Sequence, residues 1–108
     1  MATFELKKSD TGAFHFNFLG ENGKTILRSE QYNSKASAQN GIESVRKNAD
    51  NEARYDLKEG SSGKFYFNLK AANGQIIGTS MMYGDHAARE TVIEELKKHA
   101  AKAGVVES

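Results

Sequence analysis

The sequence predicts an α+β fold made of two tandem βββα repeats and a short C-terminal strand. The first observation is a gapless shift of 51 positions that places Phe4 over Tyr55 and Ala49 over Ala100, with sixteen identical pairs. The second is that each repeat alternates apolar and polar residues before it changes to helical periodicity. Shared turns and shared core positions without a gap indicate duplication, so one repeat predicts the other.

The chain length favours one shared core. A chain of 108 residues has the length of one domain, whereas a unit of about 50 residues is marginal for a core of its own. We therefore predict a single domain over residues 1–108, in which repeat one (1–51) and repeat two (52–108) share one antiparallel sheet with pseudo-twofold symmetry.

The first two strands of each repeat form a hairpin. Residues 4–8 and 13–19 alternate at period two, and the loop Asp10-Thr11-Gly12 is typical of a three-residue turn that ends in a left-handed glycine. Ser61-Ser62-Gly63 repeats this loop. The predicted cross-strand pairs are Leu6 with Phe16, Phe4 with Phe18, Leu57 with Phe67 and Tyr55 with Leu69.

A third strand follows each Asn-Gly pair. Asn22-Gly23 and Asn73-Gly74 are strong signals for two-residue turns, because both central residues of such a turn need a positive φ. The predicted pairs are Leu27 with Phe18, Arg28 with Asn17, Ile26 with Leu19, Ile77 with Lys70 and Thr79 with Asn68. A longer loop would shift this register.

A capped helix ends each repeat. Ser34 and Asp85 are suitable N-caps. One apolar stripe follows each cap, formed by Ala38, Ile42, Val45 and Ala49 in repeat one and by Val92, Ile93, Leu96 and Ala100 in repeat two. Glu43 with Lys47, and Glu94 with Lys98, are spaced for exposed ion pairs. We expect both helices on the phenylalanine face of the sheet, with the other face uncovered.

The junction and the C-terminus complete the fold. Residues 52–59 are predicted to cross between the repeats as one continuous strand. Val105 and Val106 occupy the equivalent place in repeat two, and we expect them to return beside the first strand.

These motifs resemble the YegP-like family of small bacterial proteins. Each repeat has an aromatic-x-aromatic-x-[Leu/Phe] strand, an Asn-Gly turn, a Ser-x-x-Tyr step and a capped helix that ends in Ala. In repeat two these are residues 65–69, 73–74, 80–83 and 85–100. The resemblance covers almost the whole chain and implies one sheet in which the C-terminal strands are exchanged between halves. It implies no activity, because that family has no established biochemical function. Repeat one departs from the motif at Phe18-Leu19 and at Gly41, and a helical glycine costs about 0.5–1 kcal/mol relative to alanine.

Composition argues against several function classes. Fifteen basic and fourteen acidic side chains give a net charge of +1, which provides no long-range attraction for nucleic acid. The sequence contains no cysteine and no apolar run of about 18 residues, so we expect neither disulfides nor membrane insertion, and a cytoplasmic location. His15, His86 and His99 have no ligand spacing, and we expect no metal or other cofactor.

The sequence carries no standard catalytic motif. It contains neither Gly-x-Ser-x-Gly nor a phosphate-binding loop. Ser29 and Ser80 are expected to form local hydrogen bonds. Tyr32 and Tyr83 are expected to pack over the helix starts, although a small enzyme with both phenols at the seam between repeats is an alternative.

The uncovered sheet face is the predicted functional surface. We expect a soluble, non-enzymatic binding or interaction module, monomeric, whose partner is a protein or a small ligand. The residues proposed for this surface are His15, Asn17, Arg28, Tyr66, Asn68 and Ile77. One alternative is an ordinary solvated sheet. Another is single-stranded nucleic-acid binding on Tyr66, His15, Phe14 and Lys70, which the near-neutral charge disfavours.

Overall fold

The computed structural model describes residues 2–107. Met1 and Ser108, the ends of the predicted domain, lie outside the described residues. Repeat one contains β1 (Thr3–Lys8), β2 (Phe14–Leu19), β3 (Thr25–Ser29) and α1 (Lys35–Asn48). Repeat two contains β4 (Tyr55–Glu59), β5 (Phe65–Lys70), β6 (Ile76–Ser80) and α2 (His86–His99), and β7 (Gly104–Glu107) follows. The predicted order of elements is confirmed.

All seven strands form one sheet in the order β4-β5-β6-β3-β2-β1-β7. The two repeats meet where β3 pairs antiparallel with β6, and the equivalent residues Arg28 and Thr79 lie opposite each other there. The pseudo-twofold axis therefore passes between these two residues. β7 returns to β1, as predicted, and pairs parallel to it. This one parallel pair makes the sheet mixed rather than wholly antiparallel.

The first hairpin of each repeat has the predicted register. Leu6 lies opposite Phe16 and Leu57 lies opposite Phe67. Gly12 and Gly63 have φ values of 88° and 78°, in the left-handed region that a side chain disfavours. The three-residue loops thus set which residues of both strands face the core.

The second hairpin differs from the prediction by one residue. The amide of Gly20 donates to Lys24 O, so the loop has three residues, Glu21-Asn22-Gly23, instead of two. A bulge follows, because Phe18 still pairs with Leu27 but Leu19 pairs with Thr25. The extra residue is Ile26, which turns into the core.

Repeat two contains the same bulge. Lys70 pairs with Ile76 instead of Ile77, whereas Asn68 pairs with Thr79 as predicted. The predicted pairing of Ile77 with Lys70 is therefore wrong. Ile77 is a core residue, 5% exposed, and it does not lie on the uncovered face.

Both helices begin at the predicted caps. The Ser34 hydroxyl accepts from the amide of Ser37, and the Asp85 carboxylate accepts from the amide of Ala88 at 2.8 Å. The salt bridges within each helix join residues three apart in the sequence, and not four apart as predicted. The pairs are Glu43 with Arg46 and Glu94 with Lys97.

One hydrophobic core joins the two repeats on the helix side of the sheet. Its cluster includes Phe4 and Phe16 from repeat one with Phe67 and Leu96 from repeat two. The Phe4 ring lies 5.1 Å from the Phe18 ring in an edge-on arrangement. Burying a side chain of this size stabilises the fold by about 1.5–3 kcal/mol, and both helices contribute such residues.

The junction between repeats is not a continuous strand. The side chain of Asn51 accepts from the amide of Ala53 and starts a 3-10 helix, Glu52–Arg54, before β4 begins. A second 3-10 helix, Ala100–Lys102, precedes β7. The predicted strand over residues 52–59 is therefore correct only from Tyr55 onward.

Candidate functional site on the open sheet face

A row of polar residues crosses the face of the sheet that the helices leave uncovered. The row follows the strand register from one side of the molecule to the other. Its members are Glu5, Asn17, Arg28, Thr79, Asn68 and Asp56. The predicted residues Asn17, Arg28 and Asn68 thus lie together in one line.

Most groups in this row have partners within the protein. Asn17 Nδ2 donates to Glu5 Oε1 at 3.3 Å, and the Thr79 hydroxyl donates to Asn68 Oδ1 at 2.8 Å. Asp56 lies 3.3 Å from Lys70 Nζ. These contacts involve every member of the row except Arg28.

Arg28 is the exposed cation at that centre. Among residues 2–107 its guanidinium takes part in no salt bridge, although Lys7 and Lys58 each have a carboxylate within 4 Å. The neighbouring Asn17 is buried, and its Oδ1 has no hydrogen-bond partner within the described part of the chain. A charged group next to the pseudo-twofold axis and an unsatisfied acceptor on the adjacent strand therefore lie side by side.

His15 lies on the next row, opposite Lys7. Burial lowers the pKa of His15 from its ordinary value of 6.5, and the cations Arg28 and Lys7 lower it further. Its Nδ1 is buried and has no hydrogen-bond partner among residues 2–107. The ring is thus held in its neutral form near physiological pH.

The apolar part of this face differs from the prediction. Ile77 is replaced on the face by its neighbour Ile76, which pairs with Lys70 and is 40% exposed. Tyr66 lies half-buried opposite Lys58, as expected. Phe14 packs against the core on the helix side, so it is not available as a base-stacking platform. Sequence reasoning missed Ile76 because the bulge moves the alternation by one position.

The hydroxyls of Ser29 and Ser80 form hydrogen bonds with the backbone of the sheet. The Ser29 hydroxyl accepts from the amide of Phe16 at 2.8 Å and donates to Glu30 O. Ser80 makes the same bridge from Phe67 N to Met81 O. The local hydrogen bonds predicted for both serines are confirmed.

The two seam tyrosines have unequal surroundings. Tyr32 stacks on Phe16 at 6.2 Å, over Gly41 of α1. Tyr83 instead lines an open groove of about 310 Å³, whose other lining residues are Asn22, Lys24, Thr25, Ile26, Met81, Val92 and Glu95. Burial raises the pKa of Tyr83, with a further contribution from Glu95, so its phenol is a poor proton donor at neutral pH. Tyr32 does not line this groove.

The described residues offer no assembled metal site. Within residues 2–107, no three His, Asp or Glu side chains lie close enough together to hold a metal ion. None of the helices over these residues is long and apolar enough to span a membrane.

Comparison with known proteins matches both repeats to one family. The family described as Domain of unknown function (DUF1508) matches residues 9–56 and again residues 61–107. The UPF0339 protein YegP of Escherichia coli strain K12 is 53% identical over 102 residues, which cover 94% of this chain and 93% of that protein. A UPF0339 protein in the ptx operon 5′ region of Stutzerimonas stutzeri is 48% identical over 105 residues, which cover 97% of this chain and 95% of that protein.

Two solved structures have the same fold. The NMR structure of yegP from E. coli has a TM-score of 0.93 at 50% identity, and the match covers 99% of this chain and 92% of that one. The NMR structure of a UPF0339 protein from Shewanella oneidensis also has a TM-score of 0.93, at 44% identity, with 98% of this chain and 90% of that one covered. The names of these relatives state no activity.

Proposed function

The chain belongs to the family described as Domain of unknown function (DUF1508), and from the geometry of its sheet we propose that it is a binding module whose open face receives a partner. The partner is a protein or small ligand that brings a carboxylate to Arg28. A cytoplasmic location and a monomeric state, both predicted from the sequence, belong to the same proposal.

The uncompensated charge of Arg28 is the observation that supports this proposal. An exposed arginine without a salt bridge can form two parallel hydrogen bonds to a carboxylate, and such residues often dominate binding energy. The unpartnered Asn17 Oδ1 beside it could accept from a donor group of the same partner. Tyr66 and Ile76 supply apolar surface in repeat two.

Nucleic-acid binding has weaker support on the same face. Of the two aromatic residues predicted to stack with bases, Phe14 lies on the helix side of the sheet and Tyr66 lies on the open face. Asp56 is held by Lys58 and Lys70, so part of the positive charge is neutralised. Binding of single-stranded nucleic acid is therefore one of the outcomes that the test below distinguishes.

The test compares two charge reversals in binding assays. Wild-type protein, Arg28→Glu and the control Lys47→Glu are immobilised, and each is exposed to fractionated cell extract and to a single-stranded oligonucleotide. Lys47 is an exposed cation on α1, away from the open face. Amide shifts then map the bound fraction onto the labelled wild-type chain.

We expect a ligand that binds wild type and Lys47→Glu equally and binds Arg28→Glu about thirtyfold more weakly, which corresponds to about 2 kcal/mol. Its amide shifts should lie at Asn17, Arg28 and Asn68. A ligand that binds all three proteins alike, or one whose shifts avoid these residues, would show that the open face is only solvated. Preferential, salt-sensitive retention of the oligonucleotide would instead support the nucleic-acid alternative.

A further inference from the structure

The outer edge of β4 lacks the strand that its counterpart in repeat one possesses. β4 corresponds to β1 under the shift of 51 positions, and β1 is covered on its outer side by β7. β4 is the last strand at its end of the sheet in the described chain. The two halves therefore differ most at this edge.

The connection between the repeats explains this difference. Residues 52–54 occupy the sequence position that residues 103–105 occupy after α2, but they form a 3-10 helix that leads directly into β4. The amide of Tyr55 donates back to Glu52 O. Because this segment must connect α1 to β4, it cannot also lie beside β4 as an additional strand.

The backbone of β4 is oriented to accept such a strand. Phe65 and Phe67 direct their amides toward Tyr83 O and Ser80 Oγ, away from β4. In an antiparallel ladder, paired residues point either toward each other or away from each other. Glu59 and Leu57, the partners of Phe65 and Phe67, therefore direct their backbone groups toward the open edge.

The side chains beside this edge show what a covering strand would bury. Leu6 and Leu57 are equivalent residues on the helix side of the sheet, yet Leu6 is 2% exposed and Leu57 is 47% exposed. In repeat one, β7 places Val105 beside Phe4 and Glu107 beside Leu6. A strand in the same register would place an apolar residue beside Tyr55 and an acidic residue beside Leu57.

The charges at this edge favour the acidic residue. In repeat one, Glu107 forms a 2.7 Å salt bridge with Lys35 at the start of α1. In repeat two, the equivalent part of α2 carries His86 and Arg89. Arg89 is 6% exposed and donates to Lys58 O of β4 at 3.1 Å. Its other terminal nitrogen contacts His86 Nδ1 at 3.0 Å. Its Nε has no hydrogen-bond acceptor among residues 2–107 and forms a 3.6 Å salt bridge with the exposed Glu90.

We propose that the outer edge of β4 binds an extended peptide segment of a partner protein as an additional parallel strand, with an acidic side chain beside Leu57 and Arg89. The segment pairs with the outward backbone groups of Leu57 and Glu59, as in other strand additions to a sheet edge. This surface is separate from the open face around Arg28, and the proposal does not depend on the function proposed for that face.

The probe is a peptide with the sequence of the protein's own last strand. Acetyl-Lys-Ala-Gly-Val-Val-Glu-Ser, the sequence of residues 102–108, is titrated into the ¹⁵N-labelled full chain. We expect amide shifts at Leu57 and Glu59 and a shift of the Arg89 Nε resonance. Replacing the peptide's Glu by Gln should weaken binding about tenfold, because the charged contact is lost.

Matched variants separate this edge from the other surfaces. Leu57→Lys places a charge on the edge, which is how natural sheets prevent strand addition, and it should weaken peptide binding about tenfold or more. Val106→Lys changes an exposed apolar residue on β7, and Arg28→Glu changes the open face. Both controls should bind the peptide as the wild type does.

Four results would overturn the proposal. The first is the absence of shifts on β4 at millimolar peptide. The second is a set of shifts confined to Phe4 and Leu6, which would mean that the peptide only exchanges with β7. The third is unchanged affinity in Leu57→Lys. Self-association of the full chain that Leu57→Lys abolishes would also contradict it, because a second copy would then occupy the edge.

Discussion

At the scale of single residues, the structure shows a packing role for Gly41 that the sequence does not indicate. The sequence indicates only that a helical glycine destabilises α1. In the fold, a methyl group at position 41 would lie 2.8 Å from Tyr32 Cζ and 2.9 Å from Phe16 Cε2. Val92 takes this position in repeat two, where Tyr83 lines an open groove. Because residue 41 has no side chain, the Tyr32 ring in repeat one occupies the space that corresponds to the groove beside Tyr83 in repeat two.

Gly41→Ala should accordingly destabilise the protein, although alanine is the better helix former. We expect the free energy of unfolding to fall by about 1–2 kcal/mol, because the added methyl group overpacks the ring contact. Denaturant unfolding measures this change. Gly84→Ala, in the bend before α2, is the control for a methyl group added without a steric contact, because no atom lies within 4 Å of the added group there. A more stable Gly41→Ala protein would show that helix propensity outweighs the contact.

The titration of His15 tests the electrostatics of the open face. Its folded pKa lies below the ordinary 6.5, first through burial and then through Arg28 and Lys7, while Glu5 opposes the shift. The contribution of neutral His15 to stability is therefore present above the unfolded pKa and is lost as the pH falls through the lower folded pKa.

An NMR titration of the imidazole protons checks this expectation. The midpoint should lie below 6.5 in the wild type and should move upward in Arg28→Ala, because that variant removes a neighbouring cation. Lys47→Ala, on the distant α1, should leave it unchanged. A titration midpoint at or above 6.5 would mean that the His15 ring is more exposed to solvent than the structure indicates.

At the scale of elements, the hairpins show what local sequence determines. The loops that end in Gly12 and Gly63 were predictable, because glycine at the left-handed position sets the register of both strands. The Asn-Gly loops were predicted one residue too short, because this dipeptide fits two-residue and three-residue loops alike. Glu21-Asn22-Gly23 ends in glycine as Asp10-Thr11-Gly12 does, and this similarity is the signal that could have revealed the bulge.

The bulge makes a sharp prediction for two adjacent isoleucines. Ile77→Ala should cost about 2–5 kcal/mol, the usual loss for a buried isoleucine, because it opens a cavity in the core. Ile76→Ala should cost less than about 1 kcal/mol, because Ile76 lies on the open face. Denaturant midpoints at constant slope measure both losses. Equal losses, or a larger loss for Ile76→Ala, would contradict the bulge and would support the two-residue turn, in which Ile77 pairs with Lys70.

At the scale of the whole molecule, duplication predicted more than any single motif. The shift of 51 positions predicted the order of elements and a pseudo-twofold symmetry, and the structure places the axis between the equivalent residues Arg28 and Thr79. Duplication could not predict the unequal edges, because the residues after α1 lead into β4, whereas the equivalent residues after α2 form β7 and cover β1. The candidate site was predicted through Asn17, Arg28 and Asn68, whereas Ile76 and the edge at Leu57 required the three-dimensional register.

Native-state hydrogen exchange tests most directly the claim that the two repeats fold around one core. The amides of Phe18 in β2 and Leu69 in β5 belong to different repeats, and both side chains are fully buried in the shared cluster. We predict that their slowest exchange reports the same opening free energy, equal to that of global unfolding, and that denaturant lowers both with the same slope. Opening of one repeat at a free energy several kcal/mol below that of the other would contradict the account.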